Sequence, residues 1–94
     1  MYHEVFIIVR QSFFVSRGFH YQTADNNPVM ATLSSFTDAE DFIKRIVTPT
    51  LLPTDSVERI DTMQSMGLIR SYVVKNERGI VDRAYNIIQD IVLP

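Results

Sequence analysis

Hydrophobic residues crowd the start of the chain without helical spacing. Residues 4–10 read EVFIIVR, and their β-branched and aromatic side chains fall on both faces of an extended chain, as in a central strand covered on each side. Residues 13–23 form a second extended stretch, in which Gly18 marks a bulge or a close backbone approach. Turn-forming residues at 25–28 precede a third apolar stretch at 29–33. The first third of the chain therefore predicts three strands in a β-meander.

Helical spacing begins near residue 37. Thr37 and Glu40 fit a capping box, in which the Thr37 hydroxyl accepts a hydrogen bond from the Glu40 amide and the Glu40 carboxylate reaches back. The apolar residues that follow form one stripe: Ala39, Phe42, Ile43, Ile46 and Val47. Pro49 ends this helix, because the residue before a proline avoids helical dihedral angles. Residues 48–53 are then an extended connector whose two leucines turn inward.

A second helix is predicted after this connector. Asp55 followed by Glu58 resembles a second helix cap, and Val57, Ile60 and Met63 recur at the spacing of a short amphipathic helix. Gly67 suits the left-handed position that ends such a helix. Residues 68–75 read LIRSYVVK, a composition that predicts a strand.

The end of the chain fits two structures. Asn76 and Gly79 could bound a tight turn, which would make the residues from Ile80 onward another strand. A helical stripe opposes that interpretation, and it consists of Ile80, Ala84, Ile87, Ile88 and Ile91. We favour the helix because the period of the apolar residues is the better guide over a window of this length.

These elements predict one α+β domain over residues 1–94. Its core is a mostly antiparallel sheet of four to five strands packed with two or three helices. The element order is β-β-β-α-α-β-α, or β-β-β-α-α-β-β if the tail is a strand. A core this small provides modest stability, so a partner protein or a second copy in a homodimer could complete the fold.

Composition excludes several kinds of site and several classes of protein. The chain has no cysteine, so it has no disulfide, no thiolate zinc site and no cysteine nucleophile. Its longest purely apolar run, residues 5–9, is far shorter than the ~20 residues of a membrane-spanning helix. The first residues lack the basic leader of a secretory signal. We therefore expect a cytoplasmic protein that does not span a membrane.

The two histidines are the imidazoles available for metal binding or acid–base chemistry. If the first two strands turn at residues 11–12, the antiparallel register places His3 opposite His20. A metal site would then be conceivable, but Gln-Ser is a poor two-residue hairpin turn and no third ligand stands at a diagnostic spacing. We expect surface histidines, no metal and no cofactor.

Catalytic motifs are not recognisable in the sequence. No serine stands in a nucleophile-elbow motif, and Gly18, Gly67 and Gly79 are too far apart to form a phosphate-binding loop. The acidic residues of the first helix match capping and ion-pairing roles. Enzymatic activity is disfavoured on these grounds, and no catalytic residue is assigned. A small enzyme whose site is assembled from scattered residues stays open as an alternative.

Two groups of residues are the candidates for binding: Arg17, Phe19 and Tyr21 on the second strand, and Arg70, Arg78 and Arg83 in the second half of the chain. Aromatic and basic side chains on a strand suit single-stranded nucleic acid, although the net charge of −2 opposes it. The aromatic residues equally fit a protein core. We predict a small non-catalytic protein-binding module, such as a regulator, an inhibitor or an immunity-type factor. Single-stranded nucleic-acid binding is the first alternative.

Overall fold

The computed structural model describes residues 3–16, 19–23, 29–61 and 67–92. Within these ranges the chain is α+β, as predicted, with a sheet and one α-helix. The elements are β1 (His3–Ser16), β2 (Phe19–Thr23), β3 (Val29–Leu33), α1 (Phe36–Val47), a 3₁₀ turn (Thr48–Thr50), β4 (Ser56–Asp61), β5 (Leu68–Lys75) and β6 (Val81–Val92). The predicted strands at residues 29–33 and 68–75 are confirmed with their bounds.

All described strand pairs are antiparallel, and the order across the sheet is β2-β1-β6-β5-β4. β6 follows one edge of β1, from the pair His3–Val92 to the pair Ser12–Arg83. The other edge of β1 pairs with β3 near its beginning and with β2 near its end. The sheet is therefore five strands wide, because β2 and β3 share one edge of β1.

The helix α1 packs on one face of this sheet, which we call the helix face. Side chains alternate between the two faces of a strand, so residues that pair directly share a face. The largest fully buried side chains lie between helix and sheet: Ile8, Ile43, Val74 and Ile87. Burying each of them contributes roughly 1.5–3 kcal/mol, which makes this layer the main source of stability.

The helix begins two residues earlier than the capping box predicts. Ser35 is the N-cap, with extended backbone angles and a side chain that accepts a hydrogen bond from the Asp38 amide at 3.1 Å. The predicted cap at Thr37 is wrong because the Glu40 carboxylate binds side chains of β5 instead of reaching back. Beyond the helix, Pro49 lies in the 3₁₀ turn, where a proline is tolerated near the first position.

The connector that follows differs from the predicted extended segment. Leu51 packs against the core as expected, but Leu52 is exposed. Asp55 does not cap a helix: its carboxylate accepts a hydrogen bond from the Leu52 amide at 2.9 Å and closes a turn. Such a short side-chain bond to nearby backbone is a common alternative to helix capping.

The predicted second helix is wrong, because Ser56–Asp61 is the edge strand β4. β4 pairs with β5 over its whole length, from Ser56–Lys75 to Asp61–Arg70. Two ion pairs join these strands: Glu58 binds Lys75, and Asp61 binds Arg70. The partners of Glu58 and Asp61 therefore belong to β5 and lie outside the local sequence pattern. Residues 62–66, which include Met63 of the predicted helix, lie outside the described residues.

The end of the chain is the strand β6, so the preferred prediction of a helix there is wrong. The turn-based alternative is confirmed: the Gly79 amide donates to the Asn76 carbonyl at 2.9 Å, and the Asn76 amide donates to the Ile80 carbonyl at 2.9 Å. Consecutive β6 residues from Ala84 to Ile87 are all buried. A strand buried on both faces has a continuous apolar run, and such a run can also contain a helical stripe.

The hairpin turn at residues 11–12, which would have placed His3 opposite His20, does not form. β1 continues to Ser16, where it pairs with Phe19. His20 pairs with Val15 in this register, whereas His3 pairs with Val92 at the other end of β1. The two histidines are therefore far apart along the sheet. Gly18, predicted to mark a bulge or a close backbone approach, lies outside the described residues.

Candidate functional site

The sheet has a second face, opposite the helix, which we call the open face. It carries Val5, Ile7 and Val9 of β1, Ala84, Asn86 and Ile88 of β6, Ser71 and Val73 of β5, and Glu58 and Ile60 of β4. Most of these side chains are apolar, and they come from four adjacent strands. Among the described helices and strands, none packs over this face. The open face is therefore an apolar sheet face that these described elements leave without a second layer.

A trough of about 610 Å³ lies in the open face. Small side chains, Ala84 and Ser71, lie among its lining residues, and Phe13 and Ile60 are the largest apolar groups beside them. Ala84 is buried although it belongs to the open face. A concave volume of this size falls within the range of ligand and anchor pockets.

Three polar side chains form a hydrogen-bonded row across the trough, which we call the polar chain. Ser71 Oγ donates to Asn86 Oδ1 at 2.6 Å, and Asn86 Nδ2 donates to Gln11 Oε1 at 2.9 Å. Ser71 and Asn86 are buried, so these bonds satisfy groups that would otherwise be costly to remove from water. Among the described residues, none accepts a hydrogen bond from Gln11 Nε2.

The charged residues of the trough neutralise each other. Lys75 Nζ bonds the Glu58 carboxylate across β5 and β4. Both belong to the trough lining, and among the described residues no other charged side chain lines it. Lys75 and Glu58 are partly exposed, and exposed pairs of this kind contribute little to stability. The trough therefore has charged groups but no net charge.

A second polar cluster lies on the helix face around Arg70. Arg70 Nε bonds Asp61 Oδ1 at 2.6 Å, Arg70 Nη1 bonds Glu40 Oε2 at 2.9 Å, and its guanidinium lies 4.8 Å from the centre of the Phe36 ring. Tyr72 Oη donates to the same Glu40 oxygen at 2.9 Å. These contacts tie α1 to β5 and β4, and they occupy the guanidinium inside the protein.

The titration of this cluster follows from its contacts. The Tyr72 hydroxyl, and next the Asp61 carboxylate, raise the pKa of Arg70 above its ordinary value. Burial raises the pKa of Tyr72, and its hydrogen bond to Glu40 adds to that effect while Arg70 opposes it. Arg70 thus stays charged and Tyr72 stays neutral over the physiological pH range.

Arg83 is engaged on the helix face in the same manner. Its guanidinium binds Asp82 at 2.6 Å, Tyr85 Oη at 3.0 Å and Thr50 Oγ1 at 2.6 Å. Burial acts against the charge, but the hydrogen bonds to Asp82 and Tyr85 outweigh it and raise the pKa of Arg83. Arg83 therefore links β6 to the turn after α1.

The three predicted arginines of the second half do not form one patch. Arg78 lies exposed in the β5–β6 turn, near the beginning of β6, where Arg83 is found. Arg70 lies near the opposite end of β5. Their role in binding a partner stays a prediction, and the contacts of Arg70 and Arg83 add a structural role.

The other predicted group consists of Arg17, Phe19 and Tyr21, and the structure does not describe the side chains of these residues. Phe19 and Tyr21 belong to β2, where their backbones pair with Ser16 and Phe14, but their side chains are outside the description. Arg17 is outside the described residues altogether. Binding by these three residues stays a prediction.

Sequence reasoning missed the polar chain. Ser71 interrupts the apolar strand 68–75 at its centre, and Asn86 interrupts the apolar run from Ala84 to Ile88. Polar residues inside buried strands need partners, so each interruption was a signal. Their pairing, and the contribution of Gln11, depended on a register that the sequence does not reveal.

Comparison of the chain with protein-family models, with curated proteins and with solved structures finds no match. In the described part of the chain, no helix has the length and apolar character needed to cross a membrane. Side chains of histidine, aspartate and glutamate are not grouped there in threes as a metal site would require. The geometry of the open face is therefore the main guide to the function of this protein.

Proposed function

We propose that the protein is a non-catalytic binding module that holds a partner protein against its open face, as a regulator or an inhibitor would. The observation that supports this proposal is the one-sided packing of the sheet. α1 covers the helix face, while apolar side chains from β1, β4, β5 and β6 line the other face. A sheet is most stable with both apolar faces covered, and contiguous apolar surface on a small domain marks an interaction site.

The charges of the described residues favour a protein partner over nucleic acid. Phosphate binding needs several basic side chains gathered on one surface. Lys75, the basic residue of the trough, is paired with Glu58, and the guanidinium groups of Arg70 and Arg83 are bonded on the helix face. The open face therefore offers apolar contact and amide groups rather than positive charge.

The hydroxyl of the trough is not arranged for catalysis. An activated serine needs a base that accepts its proton. Ser71 Oγ instead donates to the amide oxygen of Asn86, which is not a base, at 2.6 Å. The geometry thus favours binding over nucleophilic chemistry at this site.

Two substitutions on the same strand test the proposal. Ile60 lies on the open face with 40% of its surface exposed, and Val57 lies on the helix face with 41% exposed. We expect wild-type protein and Val57→Lys to capture the same protein from nuclease-treated lysate of the host, and Ile60→Lys to lose it. A lysine in the open face places an unpaired charge in an apolar contact, whereas Val57→Lys makes the same change outside that contact.

The two variants should melt at similar temperatures, since both positions are equally exposed on an edge strand. If Ile60→Lys and Val57→Lys retain the partner equally, the open face is not the binding surface. Loss of every captured protein on nuclease treatment would instead favour single-stranded nucleic acid as the ligand.

A further inference from the structure

The hydrogen bonds of the polar chain all run from donor to acceptor toward Gln11. This direction leaves a hydrogen-bond donor at the end of the chain. Ser71 uses its only proton on Asn86, and Asn86 donates in turn to Gln11 Oε1. The Gln11 amide nitrogen, a donor of two hydrogen bonds, stands at the end of the chain. Bonds in such a row polarise one another, which strengthens the terminal donor. The trough therefore offers a hydrogen bond to an acceptor such as a carbonyl oxygen.

The charge of the trough limits what that acceptor can be. Lys75 and Glu58 bond each other, so this pair leaves no net charge for an occupant to match. A carboxylate or ammonium group placed in the trough would lose its hydration and would have to displace one partner of this pair to gain a counter-ion. The complementary occupant is uncharged.

The remaining lining of the trough is apolar. Phe13, Ile60, Val73, Val81 and Ala84 supply side chains from β1, β4, β5 and β6. At about 610 Å³ the trough has room for more than a single small side chain. The occupant that this lining complements is a short apolar segment rather than one isolated group.

We infer that the trough holds an uncharged, apolar segment of the partner protein, one of whose carbonyl oxygens accepts a hydrogen bond from Gln11 Nε2. This inference rests on the proposed function and specifies the chemistry of the partner. The neutral charge of the trough, its apolar walls and the terminal amide of the polar chain all match a stretch of peptide with aliphatic or aromatic side chains. In such a peptide, backbone carbonyls supply the acceptor.

A library of random seven-residue peptides, selected on the wild-type protein, tests the inference. We expect the enriched peptides to have an apolar, uncharged centre. Binding should fall roughly tenfold or more in Gln11→Glu, which keeps an oxygen for Asn86 but replaces the donor with a negatively charged acceptor. Gln89→Glu is the matched control, because this substitution introduces the same negative charge on the helix face of β6, away from the trough.

The side-chain amide signals of the wild-type protein provide a second measurement if Gln11→Glu folds poorly. Adding an enriched peptide should shift the Gln11 amide signals in a heteronuclear NMR spectrum and leave those of Gln89 in place. The inference is overturned if no peptide is enriched, if the enriched peptides are charged, or if their binding does not depend on Gln11. The proposed function fails separately, when Ile60→Lys retains the captured partner protein.

Discussion

Gly67 and Gly79 have the same backbone angle but different surroundings. Each has φ of 76°, in the left-handed region that a residue with a Cβ adopts at a cost. A Cβ on Gly67 would lie 2.6 Å from the backbone oxygen of Gln89, whereas a Cβ on Gly79 would meet nothing within 4 Å. The Gly67 carbonyl also accepts a hydrogen bond from the Gln89 amide at 2.8 Å, so the two backbones cannot separate freely.

Alanine at the two positions should therefore destabilise the protein unequally. We expect Gly79→Ala to lower the free energy of unfolding by about 1 kcal/mol, the cost of the left-handed conformation alone. Gly67→Ala adds a steric clash with backbone and should lower it by about 2–4 kcal/mol. Urea denaturation of both variants measures the difference. Equal losses would mean that β6 moves away from Gly67 without cost.

Tyr72 should make stability depend on pH in the alkaline range. Because its pKa is raised in the folded state, the neutral phenol favours folding. That contribution is complete below the unfolded pKa, near 10, and is lost as the pH rises through the higher folded value. We expect the unfolding free energy of the wild type to fall more steeply above pH 10 than that of Tyr72→Phe.

The comparison uses urea denaturation at several pH values for both proteins. At neutral pH the phenylalanine variant should be less stable by about 0.5–1.5 kcal/mol, because Glu40 loses one hydrogen bond. Parallel curves for the two proteins at alkaline pH would show that Tyr72 does not titrate with folding.

At the scale of elements, α1 offers a direct test of which residue caps it. Ser35 accepts the hydrogen bond from the Asp38 amide, whereas Thr37 is exposed within the first turn. We expect Ser35→Ala to lower the free energy of unfolding by about 1 kcal/mol and Thr37→Ala to change it by a few tenths at most. Chemical denaturation of the two variants checks this order. A larger loss at Thr37 would restore the capping box that the sequence predicts.

The elements also show which secondary structure a local sequence pattern can predict and which it cannot. The composition of residues 68–75 predicts a strand, and the structure has β5 there. The spacing of Val57 and Ile60 fitted a helix, but the two side chains lie on opposite faces of the edge strand β4. A short segment with two apolar residues suits either period, and pairing with β5 decided between them.

At the scale of the whole molecule, the sheet should be most stable at its centre. β1, β6 and β5 contain the buried residues Ile8, Ile87 and Val74, while every residue of β4 is exposed. We expect the amides of Ile8 and Ile87 to exchange with solvent only on global unfolding, and those of β4 to exchange faster through local opening. Native-state hydrogen exchange by NMR measures both. Equal protection in β4 would contradict an edge strand free on its outer side.

The sequence by itself determined the α+β class, the first strand and the helix after residue 35, because each depends on residues close together in the chain. It offered the turn at Asn76 only as the alternative to a helix. Tertiary structure decided the register of β1, the strand identity of β4 and β6, and the assembly of the polar chain. Gln11 and Asn86 meet only because β1 and β6 pair as neighbours. Burial and strand pairing act between distant residues, so local propensity cannot select among the sheets that one pattern allows.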